Sequence, residues 1–120
     1  MSKSKIEIPI QKLNLYDLLI GNNPNIERKG KTTPYTSING HMFSFLSNEG
    51  VMGLRLSIKD REDFILNFKS NLMEQHGRII IEYVEIPNDL LQNTGLLSEY
   101  LQKSLDYVTK LKPKATSRKK

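Results

Sequence analysis

The chain reads as a two-layer α+β domain: an antiparallel sheet, made of a meander plus one long strand in the C-terminal half, packed with three to four helices. Three observations predict this class. Residues 31–56 place two short turn signals between three apolar runs, residues 78–86 (RIIIEYVEI) form the run richest in β-branched and aromatic side chains, and leucines recur at helical spacing towards the C-terminus. At 120 residues and 13.8 kDa, the chain can bury about 65% of its unfolded surface in one core and is too short for two. Residues 6–111 are the expected domain, flanked by disordered tails at 1–5 and 112–120.

In chain order, Ile6 to Ile10 alternates apolar and polar residues, but Pro9 keeps the stretch out of a central strand. Asn14 is the expected cap of a first helix with Leu15, Leu18 and Leu19 on its buried stripe, stopped by Gly21, Asn22, Asn23 and Pro24. Ile26 to Lys29 can add a brief strand. The meander follows. Asn39-Gly40 fits a two-residue type I′ turn, which needs positive φ at both positions. Regular pairing from that turn sets Ile38 against His41, Ser37 against Met42, Thr36 against Phe43 and Tyr35 against Ser44. It then places Thr36, Ile38, His41, Phe43 and Phe45 on one face. Ser47-Asn48-Glu49-Gly50 closes a second turn of type I. Val51 to Leu56 returns with Met52, Leu54 and Leu56 on the core side and Val51, Gly53 and Arg55 on the other. Arg55 is the odd residue there, either laying its stem along the sheet or contacting a carboxylate or anion in a partner site.

Ser57 and Asp60 resemble a capping box, and Asp60, Glu62 and Asp63 suit a positive helix start. The second helix should bury Phe64, Ile65 and Phe68 and fray near Asn71. In the long strand, Ile79, Ile81 and Tyr83 share one face and Ile80, Val84 and Ile86 the other, so both faces are apolar. A sheet with one face in water does not read this way. Helices on both sides, or helices on one and a second subunit on the other, would account for it. Asn88 can cap a short turn and Thr94 the last helix, with Leu97, Leu101, Leu105, Val108 and Leu111 buried and Tyr100 and Tyr107 at the core edge.

Composition narrows the functional classes. With no cysteine, disulfides, thiolate metal sites and a cysteine nucleophile are excluded. No apolar run is long enough for a membrane span, and the cytoplasm is the expected compartment. The net charge of +5 belongs to the ends. Seven of the 18 basic residues lie in 1–5 and 112–120, while residues 6–111 hold eleven basic against thirteen acidic side chains, a net charge of −2. A dedicated nucleic-acid surface should be basic on the fold itself.

No catalytic constellation is evident. His41 sits by the hairpin turn and His76 in a Gln-His-Gly loop, neither with a second ligand at metal-binding spacing. A capped first turn accounts for the carboxylates at 60–63 without a metal. Gly30-Lys31-Thr32-Thr33 lacks the first glycine of a phosphate loop and the strand and helix that flank one. No metal, cofactor or enzymatic activity is expected.

Glu27-Arg28-Lys29-Gly30, the hairpin Ile38 to Phe43, Gly53-Leu54-Arg55-Leu56, Glu82 to Pro87, and Tyr107-Val108 with Leu111-Lys112-Pro113-Lys114 occur in an order and spacing that resembles the TfoX N-terminal domain family, over nearly all of the ordered chain. The resemblance implies a two-layer fold and a regulatory role like that of bacterial competence regulators, with no catalytic residues to carry over. The chain ends in a basic tail where the longer regulators continue into a helical domain. The expected mode of action is contact with a protein partner or a second copy, with Phe43, Phe45, Arg55 and Tyr83 as candidate interface residues, the face of Phe43 above all. The alternative is weak, salt-sensitive nucleic-acid binding through Lys112, Lys114, Arg118, Lys119 and Lys120.

Overall fold

A computed structural model describes residues 8–112; of the tails expected at 1–5 and 112–120, all but Lys112 lie outside them. The order is α1 (Ile10–Gly21), β1 (Tyr35–Ile38), β2 (His41–Leu46), β3 (Met52–Arg55), α2 (Ile58–Phe68), β4 (Leu72–Gln75), β5 (Arg78–Ile86), α3 (Asn88–Gln92) and α4 (Thr94–Thr109). The strands form one antiparallel sheet in the order β1-β2-β3-β5-β4, so the fold is the two-layer α+β arrangement the sequence predicts.

Several boundaries move for local reasons. Helix α1 starts at Ile10, with Pro9 at its cap and the Pro9 carbonyl accepting from the amides of Lys12 and Leu13 at 3.0 and 3.1 Å; Asn14 is interior to the helix. Between Ile26 and Lys29 only a single bridge forms, from Lys29 to Tyr35. Ser57 caps α2 through its Oγ, which accepts from the amide of Asp60 at 3.3 Å, and Lys69 stops that helix in the left-handed conformation at φ 53°. Pro87, in place of Asn88, precedes α3, and the Asn88 side chain instead receives the Lys12 ammonium at 2.7 Å. Asn93, rather than Thr94, caps α4 by accepting from the Leu96 amide at 3.2 Å. Strand β4 was not expected. It is short, and its turn to β5 is made by His76 and Gly77, both at positive φ, a two-residue link of the same kind as Asn39-Gly40.

The meander carries the main correction. Ile38 pairs with His41 and Ser37 with Met42, but Thr36 then pairs with Ser44 and Tyr35 with Phe45. One extra residue, Phe43, sits in β2. Such a bulge sends two consecutive side chains to the same side, and here both Phe43 and Ser44 are buried towards the helices. Phe45 consequently faces the other way, away from Phe43.

The core on the helix side joins Tyr16, Leu19 and Ile20 of α1, Phe64 of α2, Leu90 and Leu91 of α3, and Leu97, Leu101, Leu105 and Val108 of α4. They meet Phe43, Leu46, Met52, Leu54, Leu56, Val84 and Ile86 of the sheet region. Polar groups inside it are paired. Ser44 Oγ bonds the Tyr16 hydroxyl at 2.7 Å and Thr36 Oγ1 at 2.6 Å, all three buried. Phe43→Ala should therefore destabilise the monomer by about 3 to 5 kcal/mol, the usual loss for a large core aromatic, read as a lower denaturant midpoint with no change in oligomeric state.

Candidate interaction surface

The opposite face of the sheet has its own small cluster, Phe45, Met73 and Tyr83, flanked by Tyr35, Val51 and Ile80. No helix supplies any of these residues. The cover comes from the β4–β5 hairpin. Leu72 pairs with Val84 and Met73 with Ile80, leaving Ile81, Glu82 and Tyr83 of β5 unopposed by β4, with Glu82 at φ 84°. The strand bends there, and the arm brings Met73 across to β3. A Cβ placed on Gly53 would lie 3.3 Å from Met73 Cγ and 2.6 Å from Phe45 Cε1. Gly53 is thus the gap into which the Phe45 ring packs, edge-on to Tyr83 with centroids 5.6 Å apart.

The bend also corrects the alternation expected for this strand. Ile80 joins Tyr83 on the covered side, while Ile79 and Ile81 are 53% and 72% exposed. Glu74 pairs with Ile79, and Arg78 closes the arm opposite Gln75. Both charges are exposed, and neither joins an ion pair among the described residues.

The bulge explains the chemistry around Arg55. The β2–β3 ladder ends at Ser44 and Leu54, which leaves carbonyls of β2 and β3 without strand partners. Side chains satisfy them. The Tyr83 hydroxyl donates to the Met42 carbonyl at 2.7 Å, Arg55 Nη1 approaches the same oxygen at 3.4 Å, and Ser104 of α4 donates to the carbonyls of Arg55 and, at 3.4 Å, Phe43. Arg55 Nε meets Glu82 Oε1 at 2.7 Å, and the guanidinium carbon lies 5.9 Å from the centroid of the Tyr107 ring. Of the two readings of Arg55, the carboxylate contact is found within the chain itself.

Of the four residues expected at a partner surface, Phe43, Phe45 and Tyr83 are at most 7% exposed and Arg55 is half-buried and ion-paired. The face of Phe43 is the helix-covered one, so no partner can meet it without displacing helices. The exposed side of the arm was hidden from the sequence because β4 was not recognised. The positive-φ pair His76-Gly77 flanked by LMEQ and RIII was the available signal.

Elsewhere, a cleft of about 410 Å³ between α2 and the α3–α4 region is lined by Asn67, Phe68, Lys69, Pro87, Leu90 and Leu96, and a groove of about 470 Å³ runs along α1 past Leu15 and Leu18. Neither brings a histidine to a carboxylate. His41 Nε2 lies 2.8 Å from the Lys112 carbonyl oxygen, and His76 sits in the β4–β5 turn. Among the described residues no three His, Asp or Glu side chains converge as a metal site, and no helix is long and apolar enough to cross a membrane. Lys112 is the last described residue of the basic tail; Lys114, Arg118, Lys119 and Lys120 lie outside the described residues. Comparisons with protein-family models, curated proteins and solved structures find no match.

Burial pushes the Tyr83 hydroxyl up to about 12, with the Arg55 charge working against the rise, and burial also raises Tyr16 well above the ordinary phenol value. Unfolded tyrosines ionise near pH 10. Below that pH both states keep the protons and the contribution is complete; above it the unfolded chain binds fewer protons, so stability falls as pH climbs through the folded values. Denaturant unfolding should thus lose stability from about pH 10 to 12. In absorbance titrations, Tyr83→Phe should remove one late-ionising phenol while leaving the protein folded.

Proposed function

We propose that this protein is a small cytoplasmic regulatory domain that acts by protein contact and performs no catalysis, with the exposed side of the β4–β5 arm as its contact surface. The observation that carries this reading is the pair Ile79 and Ile81, both exposed on an arm whose other side is already packed against the sheet. Burying each isoleucine contributes roughly 1.5 to 3 kcal/mol. The order and spacing of the motifs that resemble the TfoX N-terminal domain family suit the same class of role. A second copy is the first partner to test, because a two-fold contact sets the same exposed isoleucines of each copy against each other.

Sedimentation of the wild-type chain should show a dimer with a dissociation constant on the order of micromolar. Ile79→Glu combined with Ile81→Glu should weaken it by more than tenfold while leaving the melting temperature unchanged. A wild type that stays monomeric at hundreds of times that concentration removes the homodimer and leaves only a different protein as partner.

A second reading, nucleic-acid association through the basic C-terminal stretch, is favoured by one contact. The His41 ring meets the Lys112 carbonyl and so fixes where that stretch leaves the fold.

A further inference from the structure

Strand β5 outruns its neighbour. It covers nine residues, Arg78–Ile86, but β3 pairs only with Tyr83, Val84, Glu85 and Ile86, and the next residue, Leu56, makes the last contact by donating its amide to the Glu82 carbonyl at 2.9 Å. The chain then leaves the sheet through Ser57, the cap of α2. Among the described residues no strand lies on that side of residues 78–81. The phase of the arm fixes which main-chain groups are left open there. Gln75 and Arg78 flank the two-residue His76-Gly77 link and so form a hydrogen-bonded pair, as do Met73 and Ile80. At the residues between and beyond, the main chain points the other way, so the N–H and C=O of Ile79 and the N–H of Ile81 face the open side. These are the same two residues whose side chains are exposed. The other edges are guarded. Tyr35 of β1 exchanges two main-chain hydrogen bonds with Lys29, and β4 carries the exposed Glu74 within its four residues, a charge of the kind that keeps an edge from pairing.

We infer that a second copy of the chain adds to this open edge, the two β5 strands pairing antiparallel across a two-fold axis with Ile79 of one copy opposite Ile79 of the other, so that the two sheets join into one. The inference rests on the reading of the arm as the contact surface and specifies how the arm is used. An axis at Ile79 keeps the join clear of β3, because the second copy then reaches its own His76-Gly77 turn before Leu56. An axis at Ile80 would instead set Arg78 of the second copy opposite Glu82, whose carbonyl Leu56 already holds. At the Ile79 pair both main-chain hydrogen bonds are exchanged, and the isoleucines of the two copies share one side of the joined sheet. Two isoleucines per copy are few beside the roughly 20 to 30 residues that each partner of a specific interface contributes. Main-chain pairing supplies the affinity and the register that so small an apolar patch lacks.

The chain has no cysteine, so Ile79→Cys introduces a single thiol. Opposed Cα atoms of a hydrogen-bonded antiparallel pair lie about 5.5 Å apart, inside the span that a disulfide bridges. Leu66→Cys, at an exposed position of α2, is the control for random collision. At about 100 μM, well above a micromolar dissociation constant, mild oxidation should crosslink Ile79→Cys roughly tenfold faster than Leu66→Cys or more, read on non-reducing gels. In the wild type, amide hydrogen exchange followed by NMR below and above the concentration of dimer formation should slow at Ile79 and Ile81 on association. It should stay unchanged at Glu74, whose main chain faces the outer side of β4. A dimer that Ile79→Glu with Ile81→Glu disrupts, but in which both amides exchange as in the monomer and the two cysteine variants crosslink at equal rates, refutes edge pairing and leaves the arm as the contact surface. A chain that stays monomeric at concentrations on the order of hundreds of micromolar refutes the second copy and edge pairing together.

Discussion

From Asn39-Gly40 outward the two strands of the first hairpin pair residue for residue through Met42, and then β2 sets two residues, Phe43 and Ser44, against Thr36. Two side chains at that level therefore enter the helix side together. Phe43 fills the core beneath α4, and Ser44 reaches the Tyr16 hydroxyl of α1, so one inserted residue ties two helices to the same strand. Without it, either the aromatic or the hydroxyl would point out of the core, and Tyr16, which is fully buried, would have no Ser44 partner for its hydroxyl. A phenol left unbonded in such a place costs about 1 to 3 kcal/mol.

The bulge has an electrostatic consequence one strand further on. A bulged residue breaks the ladder, and the ladder between β2 and β3 does stop at Ser44 and Leu54. The carbonyls beyond that point are met by Tyr83 and Arg55 on one side and by Ser104 on the other. Arg55 then needs its own counter-charge, which Glu82 supplies at 2.7 Å. Glu82 is also the residue at which β5 bends at positive φ. Such a conformation is costly for a residue with a side chain, and the ion pair with Arg55, the Tyr83 hydroxyl bond and the amide of Leu56 donating to the Glu82 carbonyl at 2.9 Å together hold the chain in it. The bend in β5 is what allows the arm to cover Phe45 and to turn Ile79 and Ile81 outward.

How far the sequence disclosed this follows from the range over which each signal acts. The turns at Asn39-Gly40 and Ser47–Gly50, the span Arg78–Ile86, the Ser57 cap and the leucine stripe of α4 are local, and each lies where the residues placed it. Face assignments failed because alternation carries a phase, and every irregularity resets it. The extra residue at Phe43 and the bend at Glu82 each moved later residues to the other side, separating Phe43 from Phe45 and Ile80 from Val84. Neither irregularity has a turn residue to announce it, since Phe and Glu are ordinary strand and surface side chains. Two-sided apolarity in β5 implies cover on both faces by helices or a second subunit, whereas the chain's own hairpin covers Tyr83 and Ile80 and leaves Ile79 and Ile81 exposed. Of the candidate contact residues, all four are committed to holding this arrangement, and the exposed apolar pair shares strand β5 with Tyr83.

The distribution of charge separates the surfaces that remain available. Within residues 6–111 acids slightly outnumber bases, and two arginines, Arg28 and Arg55, are held by Asp17 and Glu82. Ile79 and Ile81 lie on β5, next to the edge strand β4 and on the far side of the sheet from β1. Two strands, β2 and β3, stand between them and β1. At about 4.8 Å per strand step, that is roughly 14 Å across the sheet. The sheet thus leaves an apolar pair exposed on the β4–β5 arm, with Arg55, Tyr83 and Glu82 holding the bend that turns it outward.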